Sequence, residues 1–143
     1  MCTVDFYILE SSDPQTRLQL VCRLSEKAWH GGYKTFILTE SPNQQKIIDD
    51  LLWTFRPGSF VPHGTEHERL HAKTPVVLGD SLNSEMKFNL LINLQSSPLD
   101  SPHGVERIIE VVDQNEQVRR GGRQRYRHYQ ESGKKVGSHR VSV

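Results

Sequence analysis

The chain has 143 residues, a net charge of +1 and 35% hydrophobic residues, the size and apolar content of one ordinary globular domain. No apolar run approaches the ~20 residues of a membrane span, and Met1-Cys2-Thr3-Val4-Asp5 lacks the basic and apolar regions of a secretory signal. Cys2 and Cys22 have no disulfide-framework or metal-site spacing, so a soluble, bacterial-style cytoplasmic protein is expected, with Cys22 a small buried residue.

In chain order, Val4 to Leu9 reads as a strand that is apolar on both faces, as in a covered parallel sheet. Asp13-Pro14 then starts a helix, an N-cap followed by proline at the first helical position, and Gly31-Gly32 stops it after about His30. Leu18, Val21, Cys22, Ser25 and Trp29 follow its helical spacing. Thr35 to Leu38 is a second strand. Ser41-Pro42 starts a second helix, with Ile47, Ile48, Leu51, Leu52 and Phe55 building one apolar face.

That helix ends in Trp53, breaks at Arg56-Pro57-Gly58, and is followed by Phe60-Val61 between Pro57-Gly58 and Pro62. Aromatic residues beside such breaks either fold back onto the core or anchor another protein, since Trp and its like are enriched at binding hot spots. Further strands are expected at Val76 to Leu78, Leu90 to Leu94 and Ile108 to Val112, with a Ser/Pro/Asp-rich connection from Gln95 to Gly104. A basic helix runs from Gln114 to about Ser132, and residues 133–143 read as a polar C-terminal tail after a domain of residues 1–132. Strands alternating with helices imply an α/β, single-domain, three-layer fold with a mainly parallel sheet.

The net charge conceals an asymmetry. Residues 1–114 carry ten Lys/Arg against fifteen Asp/Glu, a net −5, whereas residues 115–143 carry eight against two, a net +6. Such segregation points to a partner of opposite charge, either nucleic acid or an acidic peptide. Arg119 and Arg123, then Tyr126 and Arg127, share one face of the last helix at i, i+3 and i+4 spacing. Gly121-Gly122 within it should cost about 1 kcal/mol each relative to alanine.

Other chemistry is weaker. His67-Glu68-Arg69-Leu70-His71 fits the H-E-x-x-H zinc pattern, with His63 four residues before it. That chemistry needs a stable helix and a third ligand, whereas the motif lies between Gly64 and Thr74-Pro75 and is charged on nearly every side, so a solvated loop is expected. No glycine-rich phosphate loop occurs. The first strand leads instead into Glu10-Ser11-Ser12-Asp13, an acidic turn unsuited to phosphate, so the fold is nucleotide-binding-like without a nucleotide site. No catalytic residue, metal site or cofactor is assigned.

Several segments, in order and spacing, resemble the chi subunit family of bacterial DNA polymerase III. They include Phe6-Tyr7-Ile8-Leu9, Cys22-Arg23-Leu24-Ser25-Glu26-Lys27-Ala28, Leu51-Leu52-Trp53-Thr54-Phe55, Ser59-Phe60-Val61-Pro62-His63, Leu91-Ile92-Asn93-Leu94, Glu110-Val111-Val112-Asp113 and Arg123-Gln124-Arg125-Tyr126-Arg127. The resemblance implies a non-enzymatic adaptor of the clamp-loader assembly, touching nucleic acid only indirectly. It implies a surface for the psi subunit that includes Trp53 and Phe60. It also implies a separate surface for the acidic C-terminal tail of single-stranded DNA-binding protein, with Arg119, Arg123, Tyr126 and Arg127. Gly121-Gly122 stand where the family usually has better helix formers, and the charged, His-rich run from Glu66 to Lys73 has no counterpart in that reading. The competing reading is direct binding of single-stranded nucleic acid by the basic helix, through arginine charge and tyrosine stacking.

Overall fold

A computed structural model describes residues 2–58, 61–65, 74–82, 87–99 and 104–142. In chain order its elements are β1 (Thr3–Leu9), α1 (Pro14–His30), β2 (Thr35–Leu38), α2 (Pro42–Thr54), β3 (His63–Thr65), β4 (Val76–Gly79), β5 (Leu90–Asn93), β6 (Arg107–Val112), α3 (Glu116–Glu131) and β7 (Lys135–Val141). The strands form one sheet in the order β3-β4-β2-β5-β6-β1-β7, and every pairing is parallel.

The helix starts follow from their caps. Asp13 accepts a hydrogen bond from the Gln15 N–H at 3.0 Å and Ser41 Oγ one from Gln44 N–H at 3.1 Å, each just ahead of a proline that has no N–H to satisfy. Gly31 caps the end of α1, and Gly32 takes the positive φ of 83° that the turn requires.

Side chains alternate across the pleat, and this alternation divides the core into two. Leu9, Ile37, Val76, Leu78, Leu90, Ile92, Ile109 and Val111 pack with α1 and α2 through Leu18, Val21, Cys22, Ile48 and Leu52. Val4, Phe6, Phe36, Leu38, Val77, Leu91, Ile108 and Val112 face the other way, toward Tyr129, Tyr126 and Val118 of α3. The result is the expected three-layer α/β fold. Cys22 is fully buried as expected, and burial pushes its thiol pKa up to about 12, so it packs as a small apolar group.

Two elements depart from the sequence reading. Residues 135–141, expected within a polar tail, form β7 and pair along β1 from Thr3↔Lys135 to Leu9↔Val141. A strand at the sheet edge has only one paired side, so its largely exposed residues never acquire the apolar signature of the interior strands. The three-residue β3 likewise has one neighbour, β4.

The adjacent strands β1 and β6 send their chains in opposite directions. From β1 the chain crosses to β2 by way of α1, while from β6 it crosses to β7 by way of α3. Right-handed crossovers in opposite directions place the two helices on opposite faces of the sheet. A crevice opens between their N-termini at the carboxyl ends of the strands, the place where open parallel sheets receive ligands.

Candidate docking sites

The first predicted surface lies at the end of α2. Trp53 is 57% exposed, the most exposed large hydrophobic side chain among the described residues. It meets the His63 ring edge to face, with centroids 5.2 Å apart. The His63 side chain is buried beneath it. Its Nε2 lies 3.1 Å from Asp49 Oδ1 and its Nδ1 2.6 Å from the Val61 carbonyl, so both ring nitrogens face acceptors. The turn after α2 is tied down by an Arg56–Glu26 ion pair of 2.6 Å, by Gly58 at φ 77°, and by Val61, which returns fully buried to the core. Phe55 is half-buried against the α1/α2 side of the core. Of the aromatic residues beside the break, Phe55 thus packs inward and Trp53 stands outward on a rigid base. Phe60 and the His67-to-His71 motif lie outside the described residues.

The second predicted surface is the outer face of α3. Asn115 caps this helix by accepting from Gln117 N–H and Val118 N–H. Arg119, Arg123 and Arg127 are exposed, and among the described residues no hydrogen bond or ion pair engages their guanidinium groups. Arg120 differs, being held by Glu116 one turn earlier at 2.8 Å. Tyr126 is half-buried, its ring centroid 5.1 Å from that of Phe6. Three uncommitted cations and a braced aromatic ring therefore lie along one helical stripe.

The inner face of α3 holds a polar network that the sequence reading did not separate from the rest of the basic run. Glu110 of β6 is fully buried and faces α3. Arg125 Nε donates to its Oε1 at 2.9 Å, while Tyr129 O–H and Asn93 Nδ2 donate to its Oε2 at 2.7 and 2.8 Å. Burial pushes the Glu110 carboxyl pKa up, and these three donors pull against it. Burial and the neighbouring Glu110 also push the Tyr129 phenol up. Arg125 Nη1 reaches the Ser96 carbonyl at 3.3 Å and the Leu99 N–H donates to Tyr129 O, binding the loop after β5 to the helix. The available signal was Glu110 itself, an acid inside Ile-Ile-Glu-Val-Val, which requires a buried cation nearby.

This packing accounts for the glycine pair. A Cβ on Gly122 would lie 2.7 Å from Val112 Cγ1, so α3 approaches β6 this closely only with glycine there. A Cβ on Gly121 would lie 3.0 Å from Arg125 Nη1, which also donates to the Ser96 carbonyl.

Comparison with known proteins finds relatives along nearly the whole chain. A family model described as DNA polymerase III chi subunit, HolC, matches residues 1–137. A Pseudomonas aeruginosa protein named DNA polymerase III subunit chi is 36% identical over 141 residues, covering 99% of this chain and 98% of the relative. The Haemophilus influenzae protein of that name is 31% identical, with 97% of each chain covered. The Escherichia coli one is 27% identical over 138 residues, with 93% and 94% covered.

Proposed function

Because the chain belongs to the DNA polymerase III chi subunit family, and so is an accessory subunit of DNA replication, we propose that it is a non-catalytic cytoplasmic adaptor with two protein partners. One is a psi subunit, docked on Trp53 and Phe60, which connects the chain to the clamp loader. The other is the acidic C-terminal tail of single-stranded DNA-binding protein, docked on Arg119, Arg123, Tyr126 and Arg127. The observation that carries this reading is the separation of the two surfaces. Trp53 belongs to the α1/α2 layer and the basic stripe to α3 on the opposite side of the sheet, so one partner does not obstruct the other.

The chemistry suits an acidic tail. A guanidinium fork receives a terminal carboxylate through two parallel hydrogen bonds, a task for Arg123 at the centre of the stripe. Arg119 and Arg127, one turn to either side, attract upstream acids. Tyr126, supported by Phe6, offers an apolar edge to a ring of the tail. A contact this small is weak singly and gains by avidity on a strand coated with many copies of the tail-bearing protein.

The test is titration with an acidic tail peptide and, separately, with bare single-stranded DNA. Arg123→Glu should abolish peptide binding, Tyr126→Ala should weaken it, and Trp53→Ala should leave it unchanged. Phe60→Ala and Trp53→Ala should instead each weaken a psi-like partner, by about 2 kcal/mol at a hot spot, with the fold retained. Peptide binding should fall with salt as the Debye length shrinks from ~10 Å at 0.1 M to ~3 Å at 1 M, leaving a residue from the apolar contact. Tight binding of bare strands with indifference to the peptide would replace the adaptor reading with direct nucleic-acid binding.

A further inference from the structure

The crevice between the N-termini of α1 and α3 encloses a cavity of about 380 Å³, within the range of small-molecule sites. Besides Arg125, which is committed to Glu110, its walls carry two charged side chains that are more than nine-tenths buried, Arg17 at 8% exposure and Asp113 at 1%. Each is fixed by one bond and has further bonding capacity. Arg17 Nε donates to the Val111 carbonyl at 2.8 Å, while its two Nη groups make no hydrogen bond among the described residues. One oxygen of Asp113 accepts from Asn115 N–H at 3.0 Å, and the other has no donor among the described residues. No ion pair joins Arg17 to Asp113, although the carboxylates of Asp113 and Glu40 oppose the effect of burial, which lowers the Arg17 pKa. The cavity thus presents a fixed donor fork and a fixed acceptor.

The helix termini narrow the choice of ligand. Helix N-terminal amides would ordinarily make such a crevice a phosphate site. Here Asp13 occupies the Gln15 N–H of α1, and Asn115 occupies the Gln117 and Val118 N–H groups of α3. Asp113 and Glu40 on the cavity wall would also repel a dianion. A ligand whose anion reaches Arg17 must bring a cationic donor for these acids. Leu18, Leu94 and Val118 supply apolar wall for a short carbon skeleton.

We propose that this crevice binds a small zwitterion of the α-amino-acid class, its carboxylate on the Arg17 Nη groups and its ammonium on Asp113 and Glu40. The site is independent of both protein-docking surfaces. Gln117, Gly121 and Arg125 line it from one flank of α3, whereas Arg119, Arg123 and Arg127 lie along the outer stripe. The fork geometry of guanidinium and carboxylate, set against a buried carboxylate for the amine, distinguishes this ligand class from simple anions and simple amines.

The experiment is an NMR titration of the nitrogen-15-labelled 143-residue chain. The probes are each of the standard L-amino acids in turn, with acetate, ethylamine and inorganic phosphate as partial ligands. At least one amino acid should give saturable shifts at the amides of Ser96, Asn115 and Gln117 and at Arg17 Nε. Acetate and ethylamine should each bind at least about tenfold more weakly, as should the best amino acid to Arg17→Gln or Asp113→Asn. Affinity for the acidic tail peptide should stay unchanged in these variants, which separates failure here from failure of the adaptor reading. If Arg17→Gln does not fold, Ser96→Trp, an exposed position at the rim, should block the site while preserving the core. The proposal is overturned if no amino acid gives saturable shifts, if acetate or phosphate binds as well as the best amino acid, or if Ser96→Trp binds as the wild type does.

Discussion

Arg123 and Arg125 stand two residues apart on α3 and have opposite fates. Arg123 is exposed and bonded to nothing among the described residues, while Arg125 is 4% exposed and holds a fully buried Glu110. In sequence both belong to a single basic run. The helix turns them about 200° apart, and the strand beneath decides the rest, by presenting an acid to one and solvent to the other. The difference teaches that a charged segment can place a buried structural cation and a solvent-exposed one at neighbouring positions, so a net charge of +6 overstates what is available to a partner.

The sharpest way to break this contrast is to remove the acid on the inner face. Glu110→Gln leaves Arg125 charged, buried and without its counter-ion, a change that costs about 3–5 kcal/mol. Urea denaturation should show a large loss of midpoint at nearly unchanged slope. A loss below about 1 kcal/mol would mean that the inner arginine is as dispensable as the outer ones.

Next in size is Gly122→Ala. Overpacking against Val112 should cost about 1–3 kcal/mol, against a gain in helix propensity of about 1 kcal/mol, so the net effect is destabilising. Gly121→Ala meets one side-chain atom, Arg125 Nη1, at the longer distance of 3.0 Å and should be clearly less harmful. Thermal melts of the pair give the order, and equal effects would remove the close approach of α3 to β6 as the reason for glycine.

A half-exposed charge cluster should fall between the two faces. Arg107 Nε donates to Asp5 Oδ2 at 2.7 Å and His139 lies 3.0 Å from its Oδ1. Burial raises the Asp5 carboxyl pKa, but its bonds with His139 and Arg107 outweigh this and leave it below the ordinary aspartate value. A depressed carboxyl contributes stability that is complete above the unfolded pKa of ~3.9 and is lost as pH falls through the lower folded value. Asp5→Asn should therefore destabilise the protein at neutral pH and flatten its acid limb below about pH 4. An acid limb unchanged by the substitution would remove this contribution. Smallest of all is Arg123→Glu, which should move folding stability by no more than about 0.5 kcal/mol even while tail binding disappears. Unfolding of this variant would place Arg123 in the structural class.

Much of the fold was readable because its signals are local. Asp13-Pro14 and Ser41-Pro42 cap their helices where expected, and the apolar runs at Phe36, Val77, Leu91 and Ile109 are buried strands. β7 was not readable, since Lys-Val-Gly-Ser-His-Arg-Val carries only two apolar side chains, Val136 and Val141, and its strand character comes from pairing with β1. The outer stripe of α3 followed directly from helical spacing. The Glu110–Arg125 pair did not, because spacing along one helix says nothing about which strand residue lies beneath it. The crevice was legible only as the absence of a glycine-rich loop, because Arg17, Glu40 and Asp113, which line it together, are far apart in sequence.

The placing of β1 between β6 and β7 governs how the chain can be made. Thr3 has Arg107 and Lys135 as its neighbours, so the strand synthesised first completes its pairing last. While the chain is still being synthesised, β2, β4 and β5 can associate among themselves, but β1 waits with both edges open. Distant pairings of this kind slow folding, and the nascent N-terminal strand is the segment that a ribosome-associated chaperone would have most reason to shield.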